Sequence, residues 1–232
     1  YDNLKLRQAI LYGIDSDGLI DACLDGKADK CHTFGSKVYY DYLAKWDDEE
    51  YYEYDLAKAQ ELLKESGFVQ TNPIRILSNA ASPYKEEATL IGAFLDSLSL
   101  KYELVTVDET LFNDYKYDSS KWDLKIDPCR SPDIFPNIWN YCFNWDNYQN
   151  YGTNFIHDEY LQELLKLISS AEGHTDENLD KFHQYLKDNA YAIGLVDAYN
   201  YYVTKDTVNI AVTNGDFSIA RCTVNEDFQP LF

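Results

Sequence analysis

Between Pro73 and Asp127 the chain alternates between two kinds of text. "PIRILSN" from residue 73, "LKYELVTV" at 100–107 and "WDLKID" at 122–127 are short runs rich in apolar and β-branched residues, fit for strands. Between the first two, Tyr84, Ala88, Ile91, Leu95 and Leu98 keep helical spacing, and residues 108–116 read as a shorter helix before the third. Strand–helix–strand–helix–strand leaves few folds open. Parallel strands need a crossover, and a helix laid on the sheet face supplies it. The order predicts an α/β lobe with a mainly parallel sheet flanked by helices, roughly five to six strands wide, that includes residues 74–78, 102–107 and 122–126.

On the N-terminal side, residues 2–13 read as a helix, and Asp15 or Asp17 caps a second one that Gly26 ends. Residues 27–52 lack periodicity and read as a long aromatic loop, either functional or packed as an excursion over a cleft. "YDLAKAQELLKESGF" at 54–68 then sets Leu56, Ala59, Leu62 and Leu63 on one helical face, with Asp55 as N-cap and Gly67 at the left-handed C′ position. After Asp127 the texture changes. Residues 128–156 carry Pro128, Pro132 and Pro136 with Trp139 and Trp145, show no helical period, and are expected to be irregular. Helices follow near 158–171 and 176–190, then an aromatic strand at 192–204 and a short one in "VNIAV". His174 and His183 are expected to face solvent as bystanders.

The 232 residues carry 40 acids against 20 bases, a net charge of −20 that argues against a nucleic-acid backbone or an anionic membrane as partner. An apolar fraction of 45% excludes a disordered chain, and the 21 tyrosines suit half-buried surfaces and binding clefts alike. No apolar run reaches the roughly 18 residues that would span a bilayer. Asp47-Asp48-Glu49-Glu50 lacks an oxygen-ligand loop around it and reads as a solvated face. There is no G-x-S-x-G elbow, no P-loop, no dinucleotide fingerprint and no H-E-x-x-H, and nothing singles out two carboxylates for glycosidase chemistry. An enzyme is therefore the weaker class, and neither a cofactor nor a metal is expected. Cys23/Cys31 and Cys129/Cys142 each bracket a short loop that a disulfide could close in an oxidising compartment; buried free thiols are the alternative.

"LRQAILYGID" at 6–15, followed by "YDLAKAQELLKESGF" at 54–68, resembles extracellular solute-binding proteins of ABC importers, family 5, the oligopeptide/dipeptide-binding type. The residues that carry the resemblance are Arg7, Ala9, Ile14 and Asp15, then Tyr54, Asp55, Lys58, Ala59, Leu62, Leu63, Gly67 and Phe68. "IRILSN", "LDSLSLKYELVTVD", "WDLKI", "NYQNYGTNFIHDEYLQELL" and "AIGLVDAYNYYVTKDTV" extend it along nearly the whole chain. The resemblance implies a type II periplasmic-binding-protein fold and a protein that is extracellular, lipid-anchored at the cell surface or periplasmic. It implies partners too: a peptide or small-molecule ligand, an ABC permease, and a first lobe that precedes Tyr1. On this reading residues 1–190 are the second lobe and 191–232 return toward the first. An enzyme or a signalling receptor domain on the same scaffold is the alternative.

Ligands in open α/β sheets sit beyond the carboxyl ends of the strands. That favours the segment after Ile126, with Asp127, Arg130, Asp133, Trp139, Tyr141 and Trp145 as candidate ligand-binding residues. Peptide-binding members of the resembled family carry a "D-Y-x-D-P" segment whose first Asp holds the peptide's α-amino group. Placing its Asp-Pro on Ser131-Pro132 puts Pro128 at that anchor, and proline has neither charge nor donor. Either the loop shifts and Asp127 serves, or the ligand is not an ordinary peptide. Trp139 and Trp145 are a ligand wall or core, Trp122 is core, and Arg130 pairs with a ligand carboxylate or with one of the many acids nearby.

Overall fold

The computed structural model describes residues 3–128, 134–146, 156–199 and 201, with two-residue strand pieces at 208–209, 212–213, 216–217 and 223–224. Helix α1 (Leu4–Tyr12) starts at Asn3, whose side chain accepts from the Leu6 N–H, and α2 (Ser16–Leu24) starts at Asp15, which accepts from Gly18. β1 (Ala28–Lys30) and a 3-10 turn (Ala44–Asp48) lie within the stretch expected to be a loop. α3 (Leu56–Ser66) has the ends its sequence specifies: Asp55 accepts from the Lys58 N–H, and Gly67 closes it at φ 62°, where glycine carries no steric cost.

The alternating centre of the chain gives β2 (Ile74–Asn79), α4 (Tyr84–Ser97), β3 (Tyr102–Val107), α5 (Glu109–Tyr115) and β4 (Leu124–Lys125). The three strands form one parallel sheet in the order β3-β2-β4, with Ile74 opposite Tyr102, Asn79 opposite Val107, and Ile76 opposite Leu124. This is an α/β lobe with a parallel sheet, as expected, although among the described residues that sheet is three strands wide. Ile74, Ile76 and Leu77 are fully buried, so the central strand reads as a continuous apolar run. Leu6, Ile10, Ala59, Ile76, Ile91 and Leu95 belong to a core between α1, α3, α4 and the sheet that is mainly aliphatic.

Past the sheet the chain is helical. α6 (Phe135–Phe143) is followed by α7 (Glu159–Ile168) and α8 (Asp176–Asn189), and β5 (Val196–Ala198) returns to pair antiparallel with β1. α6 corrects the expectation of an irregular segment. Asn137, Asn140 and Asn144 recur at helical spacing on its open side, a period the sequence carries, while Phe135, Ile138, Trp139, Cys142 and Phe143 are buried on the other. These residues form a second, aromatic core with Trp46, Leu161, Leu165 and Phe182. The 27–52 stretch packs into it through Trp46, with Phe34, Tyr39 and Tyr42 against it. Cys23 and Cys31 carry free thiols, Cys142 is buried in the aromatic core, and Cys129 lies outside the described residues. No helix among the described residues is long and apolar enough to cross a membrane.

Candidate functional site

The carboxyl ends of β2, β3 and β4 bring Asn79, Val107 and Asp127 to one edge of the sheet. Asn79 ties its own turn by accepting from the Ala81 N–H at 2.8 Å, and Asp108 caps α5 by accepting from Leu111. On β4, Leu124 and Ile126 pack against the aliphatic core, so the period of two turns Lys125 and Asp127 to the other face. There Lys125 Nζ lies 3.1 Å from Asp127 Oδ2, with 8% and 15% of the two side chains exposed. The ammonium also lies 5.7 Å from the centroid of the Trp122 ring. Burial, with Asp127 nearby, raises the pKa of the Tyr117 phenol. The edge thus offers an ion pair flanked by aromatic rings, and its carboxylate already has a cation. Lys125 was not singled out from the sequence; its i, i+2 spacing from Asp127 on a strand was the available signal.

The other expected site residues sit elsewhere. Arg130 and Asp133 lie outside the described residues. Trp139 has none of its surface exposed, stacks on Phe182 with centroids 4.5 Å apart, and donates its Nε1–H to the Phe34 carbonyl at 2.9 Å. That is a core position. Tyr141 is half-buried against the same core. Trp145 is half-buried just past the end of α6, its ring 6.0 Å from that of His157 and its N–H 3.3 Å from Gln162 Oε1. Asp127 therefore stands on the sheet edge, whereas Trp139, Tyr141 and Trp145 belong to α6 and its exit.

The start of α6 in turn depends on Asp41. No side chain of α6 caps that helix; instead both Asp41 oxygens accept from the Phe135 N–H, at 3.0 and 3.1 Å. His174 Nε2 lies 3.0 Å from the same carboxylate, so it is a partner and not a bystander. His183 also departs from its expected place. With 2% of its surface exposed, it sits between the Trp46 and Tyr51 rings, and burial, with Lys187 adding, pushes its pKa down to about 3. The role of His174 is not visible in local sequence, since its partner Asp41 lies 133 residues away. Arg7, from the first resembled motif, donates from Nε and Nη2 to the Asn189 carbonyl at 3.1 and 2.9 Å, tying α1 to the end of α8. The motif residues are scaffold.

Residues 1–151 match the family of bacterial extracellular solute-binding proteins, family 5 middle. Among solved structures, HbpA2 from Haemophilus parasuis is 21% identical with a TM-score of 0.79, over 96% of this chain and 45% of its own. A dipeptide-binding protein from Pseudoalteromonas sp. SM9913, in complex with Met-Leu, is 16% identical with a TM-score of 0.76, over 97% of this chain and 46% of its own. NikA from Brucella suis, in complex with Fe(III)-EDTA, is 15% identical with a TM-score of 0.69, over 84% of this chain and 42% of its own. The chain thus spans less than half the length of these structures and shares the type II periplasmic-binding-protein fold with them. No curated protein matches its sequence.

Proposed function

This chain belongs to the bacterial extracellular solute-binding proteins of family 5, and from that premise we propose that it forms one lobe of a two-lobed binder. That protein takes up a peptide or a related small solute outside the cytoplasmic membrane, as a periplasmic or lipid-anchored surface protein, and hands it to an ABC permease. The observation that carries the reading is the partial match: the fold of 96% of this chain corresponds to 45% of a solved relative, the share one lobe would occupy. Residues 1–190 are the lobe on this reading, and 191–232 lead back toward the other. α8 ending at Asn189 is in keeping with it, while the start of the later segment still pairs with β1 through β5. Binding without turnover is favoured over an enzyme on the same scaffold, because the family is one of binding proteins.

The ligand sits against the carboxyl edge of the sheet, where Asp127 is the candidate contact, with Arg130 and Asp133 after it in sequence; Tyr141 and Trp145, half-buried on α6 and at its exit, are further candidates. Trp139 supports α6 from the core. An ammonium group reaching Asp127 must compete with Lys125, 3.1 Å away. This favours ligands held by more than a free amino terminus. Native mass spectrometry of the full-length protein from its host tests the reading. A co-purified, unmodified small solute is the expected result; chemical conversion of that solute would contradict it.

A further inference from the structure

Glu87 stands in the first turn of α4 with 8% of its surface exposed, although it carries a carboxyl group. Ala88 and Ile91 of the same helix belong to the aliphatic core, and α4 packs on α2. Among the described residues, no hydrogen bond or ion pair reaches the Glu87 carboxyl group. The titratable groups that face it are Glu86 on its own helix and Cys23 on α2, and neither brings a positive charge. Burial, with Glu86 adding, raises the pKa of its carboxyl above the ordinary glutamate range. The amide dipoles at the start of α4 offset part of the cost of a charge there. They do not replace the lost water or supply a counter-ion. α2 packs on β1 and β5 as well as on α4, so whatever loosens its contact with α4 acts on the ribbon that β1 and β5 form.

We propose that Glu87 makes the contact between α2 and α4 a proton-operated joint, closed when its carboxyl group holds a proton and loosened when it ionises, with the β1–β5 ribbon carried along by α2. The proposal rests on the packing of this chain and stands whatever solute the protein binds. The folded state binds the Glu87 proton more tightly than the unfolded state does. Stability from this residue is therefore greatest at acid pH, and it falls as pH rises from about 4 through the raised pKa. Carbon-13 NMR titration of the glutamate carboxyls in the unaltered protein tests the proton itself. Glu87 is expected to titrate above the exposed glutamates, and a midpoint in the ordinary range would overturn the proposal. The conservative variant Glu87→Gln should melt roughly 2–4 °C higher than the parent at pH 7, with the difference shrinking toward pH 4. Amide exchange in α2 and β1 at pH 7 should be slower in that variant than in the parent. A melting difference that ignores pH, or equal exchange in the two proteins, would show that Glu87 operates no joint.

Discussion

The two cores of this chain achieve burial with different chemistry. Around the sheet, residues such as Leu6, Ile10, Ile76 and Leu95 fill the space with aliphatic side chains that need no polar partner. Around α6 and α8, Trp46, Trp139 and their neighbours bring polar atoms inside, and each has to be satisfied. Trp46 Nε1 donates to Asp180 Oδ1 at 2.9 Å, Trp139 donates to the Phe34 carbonyl, and the hydroxyls of Tyr185 and Tyr191 both donate to Asp158 Oδ2. Several of these ties cross long stretches of chain, so the aromatic core is held by specific pairs and the aliphatic one by shape and a strand ladder. The cores also hold titratable groups of opposite habit. His183 in the aromatic core is kept neutral by burial, and burial raises the carboxyl pKa of Glu87 at the edge of the aliphatic one. Falling pH should weaken one region and tighten the other.

The largest effect that would sharpen this comparison is expected from Trp139→Ala, which removes a fully buried ring and its hydrogen bond. A loss of about 4 kcal/mol in urea unfolding is expected, against about 1 kcal/mol for Ile76→Val on the sheet side. Similar costs for the two would erase the distinction between the cores.

The aliphatic region was the legible one. Asp55 and Gly67 mark both ends of α3, and the apolar, β-branched runs and the helical spacing between Pro73 and Asp127 mark the three strands and two helices in order. The aromatic region was not, for physical reasons. On α6 the polar side is narrow, marked by Asn137, Asn140 and Asn144 at helical spacing, and its capping carboxylate comes from Asp41, far away in sequence. Pro136 in its first turn was a usable start signal. His183 was misplaced although Leu179, Phe182 and Leu186 share its buried face, a grouping that helical spacing allows. Of the candidate ligand contacts, the sheet-edge position of Asp127 was legible. That Trp139 points into the core depends on Phe182 and Phe34, which local spacing cannot place.

A second break point is acid. Burial holds the folded His183 pKa at about 3, whereas in the unfolded chain the imidazole takes a proton below about 6.5. Stability from this residue is present above that unfolded value and is lost as pH falls toward the folded one. Between pH 6.5 and pH 5 the loss should be about 1.6 kcal/mol, seen as faster amide exchange in α6 and α8, and His183→Gln should flatten the slope. Unchanged exchange in the parent across that range would put the imidazole outside the core.

Asp41→Ala should cost about 1 kcal/mol by stripping α6 of its cap. Exchange at the start of α6 should rise while α3, with its own cap, is unaffected; equal change in both helices would mean that Asp41 acts globally. The smallest effect is expected at Arg75, whose Nε and Nη2 hold the two oxygens of Asp123 at 2.9 and 3.0 Å beside β2. The pair is partly open to solvent, which screens it, so Arg75→Lys should cost about 0.5 kcal/mol. A loss as large as that at Trp139 would show that the sheet side also depends on specific polar ties.

The central claim, that this chain is one half of a solute binder, is tested most directly by calorimetry of the 232-residue chain and of the full-length protein against the same co-purified solute. Two-lobed binders close on a ligand about a hinge, and each lobe supplies part of the contact surface. If half of the roughly 8 kcal/mol behind a micromolar affinity belongs to the other lobe, the isolated chain should bind with a dissociation constant of about 1 mM. Micromolar binding by both proteins would contradict the account and show that this chain holds a complete site.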